Sequence, residues 1–524
     1  MTLYPLFQKL KICVCLLGLS IFLVHPQTSG PLRKDTRLPS LGDGSEMALG
    51  EERHIGESVM REIFKDPDYI EDPILLDYLL SIWQPLIEAS KLRGDLSDEM
   101  EQRFAWQGFL VKDPSINAFA LPGGYMGVHL GLISSVSNRD ELASVLAHEL
   151  SHITQRHISR LFAQQAQQTP LMLGAMILGI IAAGKNPNAA SALMVGGQAA
   201  ATQSQLNFSR DMEREADRVG YGVMLQAGYD GSGFVSMFQK LQQASRLNDN
   251  GSYPYLRSHP LTTERIADMA SRQIGSFEGT QAQNSLPSNW VHLMMSSRAK
   301  VLTKTNSDSY QLNIDLAQKA LTNPKETVSN QIALLYAGVL SSLKISNFTQ
   351  ARRFLSSLDA LSTQGKTPEL SLQISLLKAQ FFFLDNQPMI ALEILDALPK
   401  SRAVTFMLCE NQLKLSTKEA QQTCTMSLRD WLNKHPRDIH AWELLSDAQY
   451  QSQDLLSSIR SMAEAYALKL DYAPAIDRLY AAQTLSKEIA KKTGLSKSQE
   501  MESSIIDSRL RTLLALRREQ SLQR

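Results

Sequence analysis

Three histidines and a glutamate lie close together in the stretch VLAHELSHITQRH, residues 145–157. His148 and His152 are four residues apart, so on a helix their imidazoles are separated by about 400° of rotation and about 6 Å of rise. Both side chains therefore leave one face of the helix, within reach of a single metal ion. Glu149 lies beside the first histidine, where its carboxylate can act on a water molecule at that ion. Two histidines supply only half of a site, and a buried histidine pair without metal is the alternative.

His157 is the nearest candidate for a third ligand, nine residues after His148. The metzincin pattern requires a glycine seven residues and a histidine ten residues after the first histidine. Gln155 and Ile158 occupy those positions. We therefore predict that His157 lies on the helix surface.

A better third ligand lies in SRDMEREADRVG, residues 209–220. Glu213 and Asp217 share a helix face, whereas Glu215 points elsewhere. Glu213 can complete a His2Glu set, and Asp217 can accept a hydrogen bond from a ligand histidine and orient it. Ala216 and Gly220 are small enough to let this helix pack closely against the first. Without the histidine pair, the same stretch would indicate a solvated charged face.

The elements around these residues can be predicted from local patterns. Asn138, with Glu141 three residues later, indicates the start of the helix that carries the histidine pair. RFAWQGFLVKD (103–113) and INAFALPGGYMGVHLGLI (116–133) are rich in aromatic and β-branched residues. They predict short antiparallel strands, with a turn at Pro122-Gly123-Gly124.

The motifs HELSH, SRDMEREAD and NAFALPGG together resemble the gluzincin metallopeptidases of the HtpX and CAAX prenyl endopeptidase type, and matches fall across most of residues 45–272. The resemblance implies a zincin-like domain with a small β-sheet and one Zn2+ per chain. It also implies that His148, His152 and Glu213 are zinc ligands and that Glu149 is the general base and acid.

The resemblance extends to SHPLTTERI, where His259 and Arg265 match a histidine and an arginine of the family. It implies that His259 approaches the zinc as a fourth ligand and keeps the resting enzyme closed, with Arg265 as support. Swung aside, His259 could instead donate to an oxyanion. The alternative is a surface histidine that precedes a proline.

A peptide substrate would need to be held in an extended conformation beside the metal. The strand INAFAL could do this if it is an edge strand, because Asn117, Ala118 and Phe119 would then offer free backbone groups to the substrate. The alternative for Asn117 is a turn or strand-end residue.

Length and charge set limits on the whole chain. At 524 residues it exceeds what one core usually serves. Lysine plus arginine equal aspartate plus glutamate at 53 each, so charge gives no case for binding nucleic acid.

The apolar run at residues 12–24 follows Lys9 and Lys11 and is too short to span a membrane. It predicts a signal peptide over residues 1–29, with an uncleaved anchor as the alternative.

We predict a mainly α protein with a peptidase domain over residues 30–277, a linker over 278–295 and a helical domain over 296–524. The helical domain resembles a degenerate tetratricopeptide-repeat solenoid, in which small residues recur at fixed offsets. A plain helical bundle is the alternative.

Two further features remain open in the sequence. The apolar segment 171–184 is shorter than a membrane-spanning helix, so it is either a buried or lid-forming segment or a site of peripheral membrane contact. Cys409 and Cys424 are equally distant from a turn at Ser416-Thr417, so they could face one another and form a disulfide. Two separate buried thiols are the alternative.

The exported architecture with C-terminal repeats resembles family members that act in the periplasm. It implies an endopeptidase of quality control, with unfolded or misassembled outer-membrane proteins and the β-barrel assembly machinery as partners. The competing hypothesis is a repeat-based chaperone or scaffold whose peptidase domain is catalytically silent.

Overall fold

The computed structural model describes residues 47–163, 210–246, 254–275, 286–363 and 367–522. From Ser45 to Arg524 the chain forms one compact unit. Its elements confirm the predicted mainly helical fold with a small sheet. The signal-peptide prediction and the apolar segment 171–184 lie outside the described residues.

Ten helices are described in the first half of the chain, which also contains the sheet. They are α1 (Leu49–Ile63), α2 (Pro73–Arg93), α3 (Asp98–Arg103), α4 (Leu130–Ser135), α5 (Arg139–Thr154), α6 (His157–Ala163), α7 (Arg210–Gln226), α8 (Ser232–Arg246), α9 (Tyr255–Ser258) and α10 (Thr263–Gly275).

The described secondary-structure elements of the second half are all helices. Its helices are α11 (Leu286–Leu302), α12 (Ser307–Thr322), α13 (Val328–Lys344), α14 (Phe348–Ser362), α15 (Pro368–Leu384), α16 (Pro388–Asp396), α17 (Arg402–Leu415), α18 (Lys418–Lys434), α19 (Ile439–Gln451), α20 (Leu455–Leu468), α21 (Tyr472–Lys492) and α22 (Lys497–Leu522).

The sheet contains β1 (Tyr69–Ile70), β2 (Gln107–Val111), β3 (Ala118–Leu121) and β4 (Tyr125–His129), paired in the order β1-β2-β4-β3. β3 and β4 form the predicted antiparallel hairpin. Gly123 and Gly124 in its turn have φ of 77° and 85°, a conformation that glycine adopts without steric cost. β3 lies at one edge of the sheet in the described part of the chain.

One strand pairing differs from the prediction. β2 and β4 run parallel, with Gln107 opposite Tyr125, so the prediction of only antiparallel pairs is wrong. The reason is topological. β3 reverses the chain but lies outside β4, so β4 returns beside β2 in the same direction.

Helix α5 is buried on all sides. Its N-cap is the predicted one, because Oδ1 of Asn138 accepts a hydrogen bond from the backbone N–H of Glu141 at 2.9 Å. Residues 141–154 are all buried. Polar side chains on this helix therefore face protein groups rather than bulk water, and each of them needs partners inside the fold.

Helix α7 packs against α5 at very short range, as the small residues predict. A Cβ on Gly220 would lie 2.9 Å from the carbonyl oxygen of Ala147 and 3.0 Å from the backbone nitrogen of His148. Ala216, one turn earlier, is fully buried. A larger residue at position 220 would push α7 away from the histidine-bearing turn of α5.

Helix α11 connects the two halves, and its first residues lie in the segment that was predicted to be a linker. It begins at Leu286, so residues 286–295 are helical rather than linker. Trp290, Met294 and Met295 are buried. His292 lies 2.6 Å from the Tyr78 hydroxyl of α2. Sequence patterns did not predict this contact, because α11 follows a polar segment. Its apolar side chains pack against residues of both halves, which share one continuous core.

From α12 onward, each helix of the second half packs against its neighbours along the chain, whereas α11 packs against α13. The small residues singled out in the sequence are at these contacts, since Ala351, Ala391, Ala463 and Ala465 are buried. A disulfide joins Cys409 of α17 to Cys424 of α18, with Cα atoms 4.7 Å apart. Among the described residues, no helix is long and apolar enough to cross a membrane.

Candidate metal centre

Four side chains that can bind a metal meet between α5 and α7. His148 and His152 come from α5, Glu213 from the first turn of α7, and His259 from the residue that follows α9. One ligand atom from each lies within 4.8 Å of all the others, and all four residues are buried.

The distances within this cluster are short. Nε2 of His148 lies 3.0 Å from Nε2 of His152 and 3.5 Å from Oε2 of Glu213. Nε2 of His152 lies 3.5 Å from Oε1 of Glu213. Nδ1 of His259 lies 2.9 Å from the same oxygen and 3.3 Å from Nε2 of His148. The structure thus brings together the three ligands expected from spacing and the fourth implied by family resemblance.

Asp217 and Arg265 support this cluster from one side. Oδ1 of Asp217 lies 2.9 Å from Nδ1 of His148. Arg265 donates to both oxygens of Asp217, from Nε at 2.6 Å and from Nη2 at 2.8 Å, and its Nη1 lies 2.7 Å from Oε2 of Glu213. Arg265 therefore holds both carboxylates that α7 contributes to this cluster.

Glu149 lies between the cluster and the edge strand. Its Oε2 accepts a hydrogen bond from the backbone N–H of Ala120 in β3 at 3.1 Å. Its Oε1 lies 3.3 Å from Nε2 of His259. Burial raises the pKa of the Glu149 carboxyl, which favours its protonated form more than in water.

The electrostatics of the cluster favour a bound cation. Burial opposes ionisation of Glu213, but His259 and His148 hold its pKa well below the ordinary value. Burial also opposes charge on His148, but Asp217 and Glu213 raise the pKa of His148 to about 9. Carboxylates that favour positive charge on an imidazole also favour a metal ion beside it, because both are positive charges.

The donor set fits zinc. A tetrahedral zinc ion with bonds of about 2.1 Å holds its ligand atoms about 3.4 Å apart. In the pairs given above, each imidazole nitrogen lies 2.9 to 3.5 Å from another imidazole nitrogen or from one of the two oxygens of Glu213, which is close to that spacing. Imidazole and carboxylate are ligands that zinc takes in catalytic sites.

His157 is not where the sequence suggested. It is fully buried, and its Nδ1 lies 2.8 Å from Nδ1 of His152. Its Nε2 lies 3.1 Å from Oε2 of Glu215. The prediction of a surface histidine is wrong because α5 ends at Thr154 and the chain turns before α6 begins. Burial lowers the pKa of His157 to about 4, so the ring is neutral at pH 7.

Tyr255 is a second residue that sequence reasoning missed. Its ring stacks on His259 with centroids 4.7 Å apart and planes at 28°. Its carbonyl accepts a hydrogen bond from the N–H of His259 at 2.9 Å. The local signal for this contact is the spacing, because Tyr255 lies four residues before His259 and a short helix places such residues on one face.

The predicted substrate-binding residues lie along the edge strand. The carbonyl of Asn117 accepts a hydrogen bond from the N–H of His129 in β4 at 3.0 Å. Antiparallel strands alternate bonded and non-bonded pairs, so the backbone groups of Ala118 and Ala120 point away from β4. The backbone groups of Phe119 face β4, and its ring packs edge-on against the ring of Phe109. The backbone groups of Ala118 and Ala120, more than those of Asn117 and Phe119, point away from β4, but Ala118 is buried and the N–H of Ala120 is bonded to Glu149.

The HELSH helix, a carboxylate in the third ligand position on a second helix and an edge strand beside them define a zinc-dependent metallopeptidase of the gluzincin class. Residues 88–273 match the model described as Peptidase family M48. This part of the chain is therefore an M48 metallopeptidase domain, and the protein is a zinc metalloendopeptidase.

The similarity to known proteins extends beyond that domain. The chain is 28% identical over 444 residues to the beta-barrel assembly-enhancing protease of Escherichia coli, covering 83% of this chain and 85% of that protein. It is 29% identical over 336 residues to the Yersinia pestis protein of the same name, covering 63% and 65%. A mitochondrial metalloendopeptidase, OMA1 of Saccharomyces cerevisiae, is 24% identical over 260 residues, covering 48% and 71%.

Proposed function

We propose that this protein hydrolyses peptide bonds of misfolded or stalled envelope proteins and supports assembly of outer-membrane β-barrels. The observation that carries the hydrolytic part is Glu149 beside a buried set of three imidazoles and one carboxylate. The assembly part is supported by similarity over most of the chain to proteins whose names state that role. A periplasmic location, an N-terminal signal peptide and the β-barrel assembly machinery as partner belong to the same proposal.

We assign His148, His152 and Glu213 as zinc ligands, with His259 as a fourth in the resting enzyme. Zinc supplies a Lewis acid that polarises a carbonyl and acidifies water at neutral pH. Glu149 takes the proton of the attacking water and returns it to the leaving amine. The raised pKa of its buried carboxyl suits both steps.

Substrate binding is assigned to the edge strand, at Asn117, Ala118 and Phe119. An extended peptide would pair with the outward backbone groups of β3, which recognises main chain rather than sequence. Ala120 is already linked to Glu149, so a peptide on β3 would lie beside the general base. Such pairing accepts unfolded segments and excludes folded ones, whose backbone groups are already paired.

The site is closed as it stands. Glu149 and His259 are 1% and 3% exposed, and the ring of His259 contacts both Glu149 and Glu213. A closed site favours a resting enzyme that binds clients without cutting them. Chaperone-like support by the helical half and hydrolysis by the peptidase half are therefore compatible roles.

The test is one preparation assayed for bound zinc and for cleavage of an unfolded outer-membrane protein, compared with Glu149→Gln. We expect zinc to be retained and cleavage to fall by about 10²- to 10⁴-fold. Glu51→Gln, on the exposed side of α1, is the matched control and should behave as wild type.

Two outcomes would overturn parts of the proposal. Equal cleavage by wild type and Glu149→Gln would end the assignment of the base. If zinc is bound but no cleavage is seen even when His259 is replaced by alanine, the silent scaffold is the better description.

A further inference from the structure

The ligand histidine His152 has a second ring nitrogen that faces away from the candidate metal centre. Its Nε2 points into the centre, 3.0 Å from Nε2 of His148 and 3.5 Å from Oε1 of Glu213. Its Nδ1 lies 2.8 Å from Nδ1 of His157. A metal at Nε2 therefore leaves Nδ1 to be held by another side chain.

His157 is itself held in place. The ring is fully buried and meets His152 edge-on, with centroids 4.8 Å apart and planes at 74°. Its Nε2 lies 3.1 Å from Oε2 of Glu215. That oxygen also accepts a hydrogen bond from Nη1 of Arg160 at 2.9 Å. Glu215 is 28% exposed, so the row of side chains runs from the metal centre to the surface.

Only one arrangement of protons satisfies this row when Nε2 of His152 binds a metal. Nδ1 of His152 must then carry the proton, because a neutral imidazole carries one. It donates to Nδ1 of His157, which must accept and therefore has its own proton on Nε2. That N–H donates to Glu215, whose carboxylate can only accept.

The backbone explains how His157 reaches this position. On a continuous helix, residues five apart point about 140° away from each other, so His157 could not meet His152. Helix α5 ends at Thr154, and Arg156 has φ of 53° in the left-handed region. Nε of Arg156 donates to Glu52 of α1 at 3.0 Å, which holds the turn. The turn brings His157 back against its neighbour.

We propose that His157 is a positioning residue, which with Glu215 fixes the tautomer and ring orientation of the zinc ligand His152. His148 has a different partner, since its Nδ1 lies 2.9 Å from the carboxylate of Asp217. One ligand is thus oriented directly by a buried carboxylate, and the other through a second imidazole anchored near the surface. Partners of this kind typically change metal affinity by about 10- to 100-fold when removed.

Two variants of His157 separate the hydrogen bond from packing. In asparagine the side-chain oxygen takes the place of Nδ1 and can still accept from His152, although it cannot reach Glu215. Phenylalanine fills the space of the ring but accepts nothing. A merely structural residue would tolerate Phe better than Asn, because Phe preserves buried volume. The proposal predicts the opposite order for zinc affinity.

The measurement is the zinc dissociation constant of the full chain, by competition with a chromogenic chelator. His157→Phe should bind zinc about 10- to 100-fold more weakly than wild type, and His157→Asn within about fivefold of wild type. Unfolding in excess chelator shows whether each variant is folded without metal. Equal affinity of wild type and a folded His157→Phe would overturn the proposal.

Glu215→Ala keeps the test decisive if His157→Phe does not fold, because Glu215 is partly exposed. We expect it to weaken zinc binding by about threefold or more, and unchanged affinity would overturn the proposal. The inference rests on the proposed zinc site. If the wild type binds no zinc, the proposed function fails. If the wild type binds zinc, and His157→Phe and Glu215→Ala bind it with the same affinity, only the positioning role fails.

Discussion

Arg265 donates two hydrogen bonds to Asp217, from Nε at 2.6 Å and from Nη2 at 2.8 Å, with both side chains buried. This pair links α10 to α7 and lies directly behind His148, one of the proposed ligands. It therefore supports the metal centre and the packing of the peptidase half together.

Arg265→Ala is expected to destabilise the protein by about 3 to 5 kcal/mol, because it leaves a buried carboxylate without its partner. Urea unfolding in excess chelator measures this apart from metal binding. Arg272→Ala is the matched control on the same helix, since Arg272 pairs with Asp268 in a partly exposed i, i+4 ion pair. It should change stability by about 0.5 kcal/mol or less. Equal effects would show that Arg265 is not a central support.

His259→Ala should raise proteolysis of an unfolded client, because it removes the side chain that lies against Glu149 and Glu213. Initial cleavage rates at equal bound zinc give the comparison. Tyr255→Leu, which removes the stacked ring but leaves His259, should raise the rate less. Lower cleavage with zinc retained would instead favour His259 as an oxyanion donor.

His292 predicts how stability depends on pH at the junction of the two halves. Burial lowers its pKa to about 4, although the bond from its Nε2 to the carbonyl of Val136, at 2.9 Å, acts in the opposite direction. The unfolded value is about 6.5. A proton therefore binds the unfolded chain more readily, so stability is present above about pH 6.5 and lost as pH falls towards 4.

Between pH 7.5 and 4.5, the wild type should lose about 2 to 3 kcal/mol more than His292→Gln, which cannot be protonated. Chemical unfolding at both pH values in excess chelator tests this, because any other titrating group contributes equally to both proteins. Parallel losses in the two proteins would contradict the prediction.

Reducing the disulfide between Cys409 and Cys424 should destabilise the helical half by about 3 kcal/mol, the value for a closed loop of 15 residues. Denaturant unfolding with and without reductant gives the difference. The double variant Cys409→Ala, Cys424→Ala should be insensitive to reductant. Two reactive thiols in the denatured, unreduced wild-type chain at these positions would refute the pairing.

Much of the candidate centre could be predicted from local spacing. His148 and His152 share a face because of helical periodicity, and so do Glu213 and Asp217. The small residues Ala216 and Gly220 indicated that these two helices pack closely, which the structure shows. Family resemblance added His259 and Arg265, which no spacing rule connects to the rest.

Other features depend on where the chain turns, and local patterns do not determine this. The sequence pattern placed His157 on a continuous helix, but the turn at Arg156 is held by Glu52, more than 100 residues earlier in the chain. The parallel pairing of β2 with β4 follows from β3 lying outside both. Helix α11 begins at Leu286, and Tyr78 of the first half contacts His292 within the segment predicted as linker.

The sequence by itself determined which residues share a helix face, because 3.6 residues per turn is a property of the backbone. Only the tertiary structure decided which faces meet and which ring lies against His152. Those contacts join residues distant in the chain, and their energy depends on burial and hydrogen-bond partners that no short stretch contains.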